Sequence, residues 1–142
     1  MKTWLVDTGP LVAYLDERDP WHDRVSVVFD SDPAVLWTTM PIITETMYFL
    51  RTAVEACSEF VGFLRDAHMK VEAFSSLDEL NRAAVLMKKY RDVPMDFADA
   101  SLVVLAEKIG VRDILTIDRR GFRAFRVHGR QAFHLVLDDF PG

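Results

Sequence analysis

Short apolar runs alternate along the chain with stretches whose apolar positions recur at helical spacing. Thr3–Val6, Ala34–Thr38, Lys70–Phe74, Asp113–Ile117 and Ala132–Leu137 read as five short strands, bounded by turn residues. The break Asp7-Thr8-Gly9-Pro10 opens a helix with Pro10 in its first turn and Leu11 and Leu15 on one face. Pro20 opens a second helix through Asp30, with Val25, Val28 and Phe29 inward. Thr39 and Pro41 start a third, through Arg51. A fourth runs from Val54 to His68, with Cys57, Phe60, Val61 and Leu64 in register. Ser76 and Glu79 have capping-box spacing, so a fifth helix runs to Tyr90 with Leu80, Ala84 and Met87 inward. Asp96–Ile109 is a sixth, stopped by Gly110, and its apolar residues surround nearly the whole circumference, which predicts deep burial. Strands alternating with helices predict an α/β fold with a parallel sheet covered on both faces.

At 142 residues the chain suits one domain, residues 1–142, able to bury about two-thirds of its unfolded surface. Half of its residues are hydrophobic, which excludes a disordered chain. No apolar run reaches membrane-spanning length, no signal-peptide pattern opens the sequence, and the lone cysteine, Cys57, excludes an intrachain disulfide. These features predict a cytoplasmic protein. The net charge of −5 argues against a nucleic-acid partner until its distribution is considered. Residues 119–137 carry Arg119, Arg120, Arg123, Arg126 and Arg130 and no acid, a strip that is either a solvated surface or a contact for a polyanion.

Five carboxylates occupy positions that ordinary surface acids do not. Asp7 and Asp118 each end a predicted strand, where open α/β sheets bind ligands. They converge only if the first and fourth strands are neighbours. Each also has a plain structural reading, Asp7 as a helix cap that Thr8 could equally supply, and Asp118 as a turn residue. Glu45 sits at the edge of an apolar stripe, between Ile42 and Phe49. Asp96 and Asp99 share one helix face, either as site carboxylates or as N-cap and N3 of a capping box.

Ionised together at one place, such groups repel strongly, and a hard divalent cation with oxygen ligands, Mg²⁺ or Mn²⁺, is the ordinary resolution. That arrangement performs phosphoryl chemistry. Other chemistries lack their residues: the chain has no GxxxxGK[ST], GxGxxG, CxxC or HExxH, and its four histidines have no zinc spacing. A strand-end aspartate nucleophile of the haloacid-dehalogenase kind would need a second aspartate where Gly9 stands. A non-catalytic RNA- or protein-binding module is the alternative on the same fold.

The segments LVDTGPLVAYLD, Thr44-Glu45, DFADASLVVLAEKIG and ILTIDRRGF, in this order, resemble the PIN-domain ribonucleases, and among them the VapC-type toxins of toxin–antitoxin pairs. The resemblance covers essentially the whole chain. It implies a three-layer α/β/α fold with a parallel sheet of order 3-2-1-4-5. By position, Asp7, Glu45, Asp99 and Asp118 match the family's acidic quartet, Asp96 an additional aspartate found in part of it, and Thr116 and Thr8 site-lining hydroxyls. It further implies Mg²⁺- or Mn²⁺-dependent RNA cleavage, with Asp7, Asp99 and Asp118 as metal ligands, leaving 5′-phosphate and 3′-hydroxyl ends. A homodimer and a cognate antitoxin are the implied partners. Arg119, Arg120 and Arg123 then become the expected RNA contacts, and an exposed apolar groove, expected from Trp4, Trp21, Trp37 and ten phenylalanines, would seat an antitoxin helix. The five candidate acids equal the net charge in number, so the rest of the chain is electrically balanced.

Overall fold

The computed structural model describes residues 1–31 and 33–142. β1 (Lys2–Val6) leads into α1 (Thr8–Leu15) and α2 (His22–Phe29). β2 (Ala34–Thr39) leads into α3 (Met40–Leu50) and α4 (Ala56–Asp66). After β3 (Lys70–Glu72) come α5 (Leu77–Lys89) and α6 (Phe97–Ile109), then β4 (Asp113–Leu115) and α7 (Arg119–Ala124). The chain closes with β5 (Arg126–Val127), β6 (Gln131–Ala132), β7 (His134–Leu135) and a 3₁₀ turn over Val136–Asp139. Among the described residues, no helix is long and apolar enough to cross a membrane.

The main sheet has order β3-β2-β1-β4-β7 and every pairing in it is parallel. Its fifth strand is the seventh in the chain because the β5–β6 ribbon intervenes; otherwise the order is the expected one. Strand connection runs outward from β1 through β2 to β3, then returns to β4 on the other side. With right-handed crossovers, α1–α4 cover one face of the sheet and α5–α7 the other. The reversal falls between β1 and β4, so the two strands whose ends carry Asp7 and Asp118 are direct neighbours, with Val6 opposite Leu115.

Local sequence explains most element ends. Thr39 caps α3, and Pro41 occupies its first turn, where a missing N–H is harmless. Gly110 ends α6 in the left-handed conformation, at φ 71°. α6 is buried from Ala100 through Ala106, as its all-round apolar pattern requires. Three expectations fail. The inward stripe of α5 is Ala83 and Leu86, continued by Tyr90, whereas Leu80 and Ala84 are exposed; the helix carries two adjacent apolar stripes, and packing against α6 selects one. Val61 of α4 is also exposed. The predicted strand Ala132–Leu137 is divided: Gln131–Ala132 pairs antiparallel with Arg126–Val127, only His134–Leu135 joins the sheet, and Val136–Asp139 curls into the 3₁₀ turn. The basic segment after Asp118 is therefore a short helix and a ribbon.

Candidate active site

The carboxyl ends of β1 and β4 are joined by hydrogen bonds that run through the candidate residues. The Asp7 N–H donates to Leu115 O at 3.0 Å, which continues the ladder one residue beyond β1. Asp7 is buried. Its Oδ1 accepts from Thr8 N at 2.8 Å and its Oδ2 from the Thr116 hydroxyl at 2.7 Å. The same Thr116 oxygen accepts from Asp118 N at 3.0 Å, so one threonine fixes both strand-end aspartates. Asp118 in turn caps α7, accepting from Gly121 N at 3.0 Å. Asp7 thus is the cap of α1, and Thr8, available by sequence for that role, leaves its buried hydroxyl without a well-formed hydrogen bond.

Two further bonds align the helices. Thr38 donates to Val6 O at 2.8 Å, and the hydroxyls of Thr39 and Ser101 lie 2.6 Å apart, tying the start of α3 to the second turn of α6. Glu45 on α3 and Asp96 and Asp99 at the start of α6 are brought over the β1–β4 junction by this tie. Asp96 and Asp99 form the reciprocal capping box: Asp96 Oδ1 accepts from Asp99 N at 2.8 Å, and Asp99 Oδ2 from Asp96 N at 3.1 Å. Both readings of this pair therefore hold at once, because each carboxylate has a second oxygen to present.

All five candidate acids line one cavity of about 380 Å³, together with Thr8, Gly9 and Ile117. Asp19 lines it too; its carboxylate accepts from Trp21 N at 2.8 Å, and nothing in its local sequence separates it from a surface turn residue. The protonation shifts express the crowding. Burial pushes Asp7 up to about 6; the bonds from Thr116 and Thr8 oppose this, and the charges of Glu45 and Asp118 add to it. Burial, then the charges of Asp7 and Asp96, push Asp99 up to about 8. Burial also raises Glu45, opposed by the Thr8 hydroxyl and assisted by Asp96. Asp7, Glu45 and Asp99 thus each feel at least one other carboxylate of the cavity.

This donor set fits a hard divalent cation: oxygen donors only, and no lysine, arginine or histidine among the cavity's lining residues. Among the described residues, however, no three Asp, Glu, His or Cys side chains already stand together in a metal-holding arrangement. A cation held by three of these carboxylates would have to draw them closer together.

The arginines are distributed unequally. Arg119 and Arg123 pair with Asp138, at 2.6 and 3.6 Å, while Arg120 is exposed and has no ion pair among the described residues. The apolar groove exists but not where the tryptophans suggested. Trp4 is core, and Trp21 and Trp37 are half-buried against it. The groove lies beside the acidic cavity, lined by Met40, Pro41, Tyr48, Phe49, Phe74 and Phe97. Phe49, read as part of an inward stripe, is 56% exposed and borders both cavities.

Two glycines permit the close approach. A Cβ on Gly9 would lie 2.5 Å from Ile117 Cγ1, so a larger residue there would force the Ile117 side chain away from the start of α1. A Cβ on Gly121 would strike the Asp118 carboxylate and lie 3.1 Å from Phe125 Cε2. Gly121→Ala is expected to displace Asp118, cost about 1–3 kcal/mol of stability by overpacking, and reduce any activity of the site roughly tenfold or more. Thermal melting and a cleavage assay on the same preparation check both effects.

A doubly connected parallel sheet with carboxylates gathered at its switch point defines the class, and residues 4–127 match the model of the PIN domain. The chain belongs to the PIN-domain family. It is 35% identical over 133 residues to Ribonuclease VapC26 of Mycobacterium tuberculosis, covering 93% of this chain and 98% of that protein. Its fold is similar to the crystal structure of M. tuberculosis VapC20, described as a Sarcin-Ricin loop cleaving toxin. The TM-score is 0.73 at 18% identity, over 85% of this chain and 95% of that one.

Proposed function

We propose that residues 1–142 form a single Mg²⁺- or Mn²⁺-dependent endoribonuclease domain, the toxin of a VapBC-type toxin–antitoxin pair, working in the cytoplasm. The observation that carries the reading is the convergence of Asp7, Glu45, Asp96, Asp99 and Asp118 on one cavity, where burial and mutual charge raise the proton affinity of Asp7 and Asp99. Family membership and the VapC26 relative support the same activity. Asp7, Asp99 and Asp118 would hold the cation. When bound, it supplies positive charge against the developing phosphorane and an acidified water. Glu45 would ligate a second cation or position the water, and its raised proton affinity suits accepting that water's proton. Asp96 keeps Asp99 oriented through the capping box and stands at the exposed mouth of the site. Thr116 holds Asp7 and Asp118 in register. Arg119, Arg120 and Arg123 would bind backbone phosphates beside the site. A homodimer and an antitoxin helix seated in the apolar groove complete the proposal; the exposed Tyr48 and Phe49 motivate it.

Purified protein is expected to cut RNA in Mg²⁺ or Mn²⁺ and to stop in EDTA, with 5′-phosphate ends on the products. The second reading, a binding module without catalysis, draws on the absence of a ready-formed three-acid metal arrangement among the described residues. RNA binding without cleavage, at every divalent ion tested, would establish it instead.

A further inference from the structure

The ion pairs at the C-terminus have a geometry that a structural tie does not require. Arg119 and Arg123 are one turn apart on α7 and converge on the two oxygens of a single carboxylate: Arg119 Nη2 meets Asp138 Oδ1 at 2.6 Å and Arg123 Nη2 meets Oδ2 at 3.6 Å. These are ion pairs rather than hydrogen bonds, and two guanidinium charges drawn to the oxygens of one acidic centre is the charge arrangement by which arginines attract a phosphodiester. α7 also begins immediately after Asp118, whose carboxylate caps it, so this fork is rigidly attached to the acidic site.

The C-terminal turn has anchors other than the Asp138 side chain. Val136 and Leu137 are buried, Arg24 donates to Leu137 O and Phe140 O at 3.3 and 3.2 Å, Phe140 sits edge-on to Trp4, and His134 pairs with Asp139 at 2.8 Å. The side chains of the three pairing residues, by contrast, are 38–59% exposed, so water and salt compete with the contact. We propose that Asp138 is an internal stand-in for an RNA phosphate: it occupies the Arg119–Arg123 fork and must be displaced by the substrate backbone, so it sets the threshold of affinity that an RNA must exceed. Its loss makes the protein bind RNA more tightly and less selectively. This rests on the ribonuclease reading, and specifically on Arg119 and Arg123 as phosphate contacts.

The test measures binding of a fluorescent RNA oligonucleotide to the full chain carrying Asp7→Asn, which removes cleavage from the readout. Adding Asp138→Asn is expected to tighten binding about 3- to 10-fold near 0.1 M salt and to steepen the slope of log K against log salt by about one. Asp138→Ser is expected to behave alike and serves if the asparagine variant folds poorly. With Arg119→Ala and Arg123→Ala both present, substitution of Asp138 is expected to have no further effect. Weaker or unchanged binding in both Asp138 variants overturns the proposal, and so does an arginine double variant that binds RNA as tightly as its parent. The ribonuclease reading fails separately, if the chain with its natural Asp7 cuts no RNA in Mg²⁺ or Mn²⁺.

Discussion

Asp7→Asn is expected to lower kcat/KM for RNA cleavage by at least about 10³-fold, the scale seen when electrostatic stabilisation of a transition state is removed. The substitution is nearly isosteric. Asparagine Oδ1 still accepts from Thr8 N, and its amide can donate to the Thr116 hydroxyl, so the cap of α1 and the β1–β4 tie persist. What disappears is a negative charge at the deepest of the five acids, and with it a ligand for a cation. Thr116→Val separates charge from position: it keeps every carboxylate's charge but releases Asp7 Oδ2 and Asp118 N from the hydroxyl that positions them. Its expected loss is smaller, about 10- to 100-fold, as for other groups that orient a ligand. Single-turnover cleavage with excess Mn²⁺, beside circular dichroism to verify folding, measures both. Undiminished cutting by Asp7→Asn would remove Asp7 from the site.

The second large effect is on stability, and its sign is opposite. Asp7 at about 6 and Asp99 at about 8 both lie above the unfolded value of 3.8. The folded state therefore binds protons more tightly than the unfolded chain. The stability these groups contribute is fully present below pH 3.8 and is lost as pH rises through about 6 and then about 8. For buried Asp7 alone the loss is on the order of 2–3 kcal/mol, and Asp99, which is partly exposed, adds less than its shift suggests. In EDTA, Tm is expected to fall by about 5–10 °C between pH 5.5 and 8.5. His134, paired with Asp139 and raised by it, contributes in the same sense. Asp7→Asn leaves His134 untouched, so it isolates the site: the variant is expected to melt higher than the parent at pH 8.5, and the margin is expected to close only as pH falls toward the unfolded value of 3.8. Mn²⁺ should stabilise the parent at pH 8.5 far more than at pH 5.5, because protons compete for the same oxygens. A variant that melts lower than the parent in EDTA at pH 8.5 would show that the Asp7 charge is not a source of strain.

The two effects share one cause. A cavity that gathers carboxylates is destabilising without a counterion, and that same unmet charge is what a divalent ion would answer. Fold stability and chemistry are in tension at the site.

Much of this was legible in the residues. The strand–helix alternation, the ends marked by Thr39, Pro41 and Gly110, and the five unusual acids all follow from local rules: period, cap chemistry and backbone preference act within a few residues. Choices between locally equivalent options were not legible. The α5 helix carries two apolar stripes, and only contact with α6 selected Ala83 and Leu86 over Leu80 and Ala84. Ala132 and His134–Leu135 fall in one predicted strand, and the partner on offer sent the first to a separate ribbon and the second to the sheet. Asp19 enters the cavity wall, and Arg119 and Arg123 are held by Asp138, through contacts between distant segments that no local pattern encodes. The sequence by itself thus determined the elements and the identity of the acids, because those depend on near neighbours. Their meeting at one cavity, and the occupation of the arginine fork, were decided by the tertiary structure alone, because both depend on which strands and helices become neighbours in space.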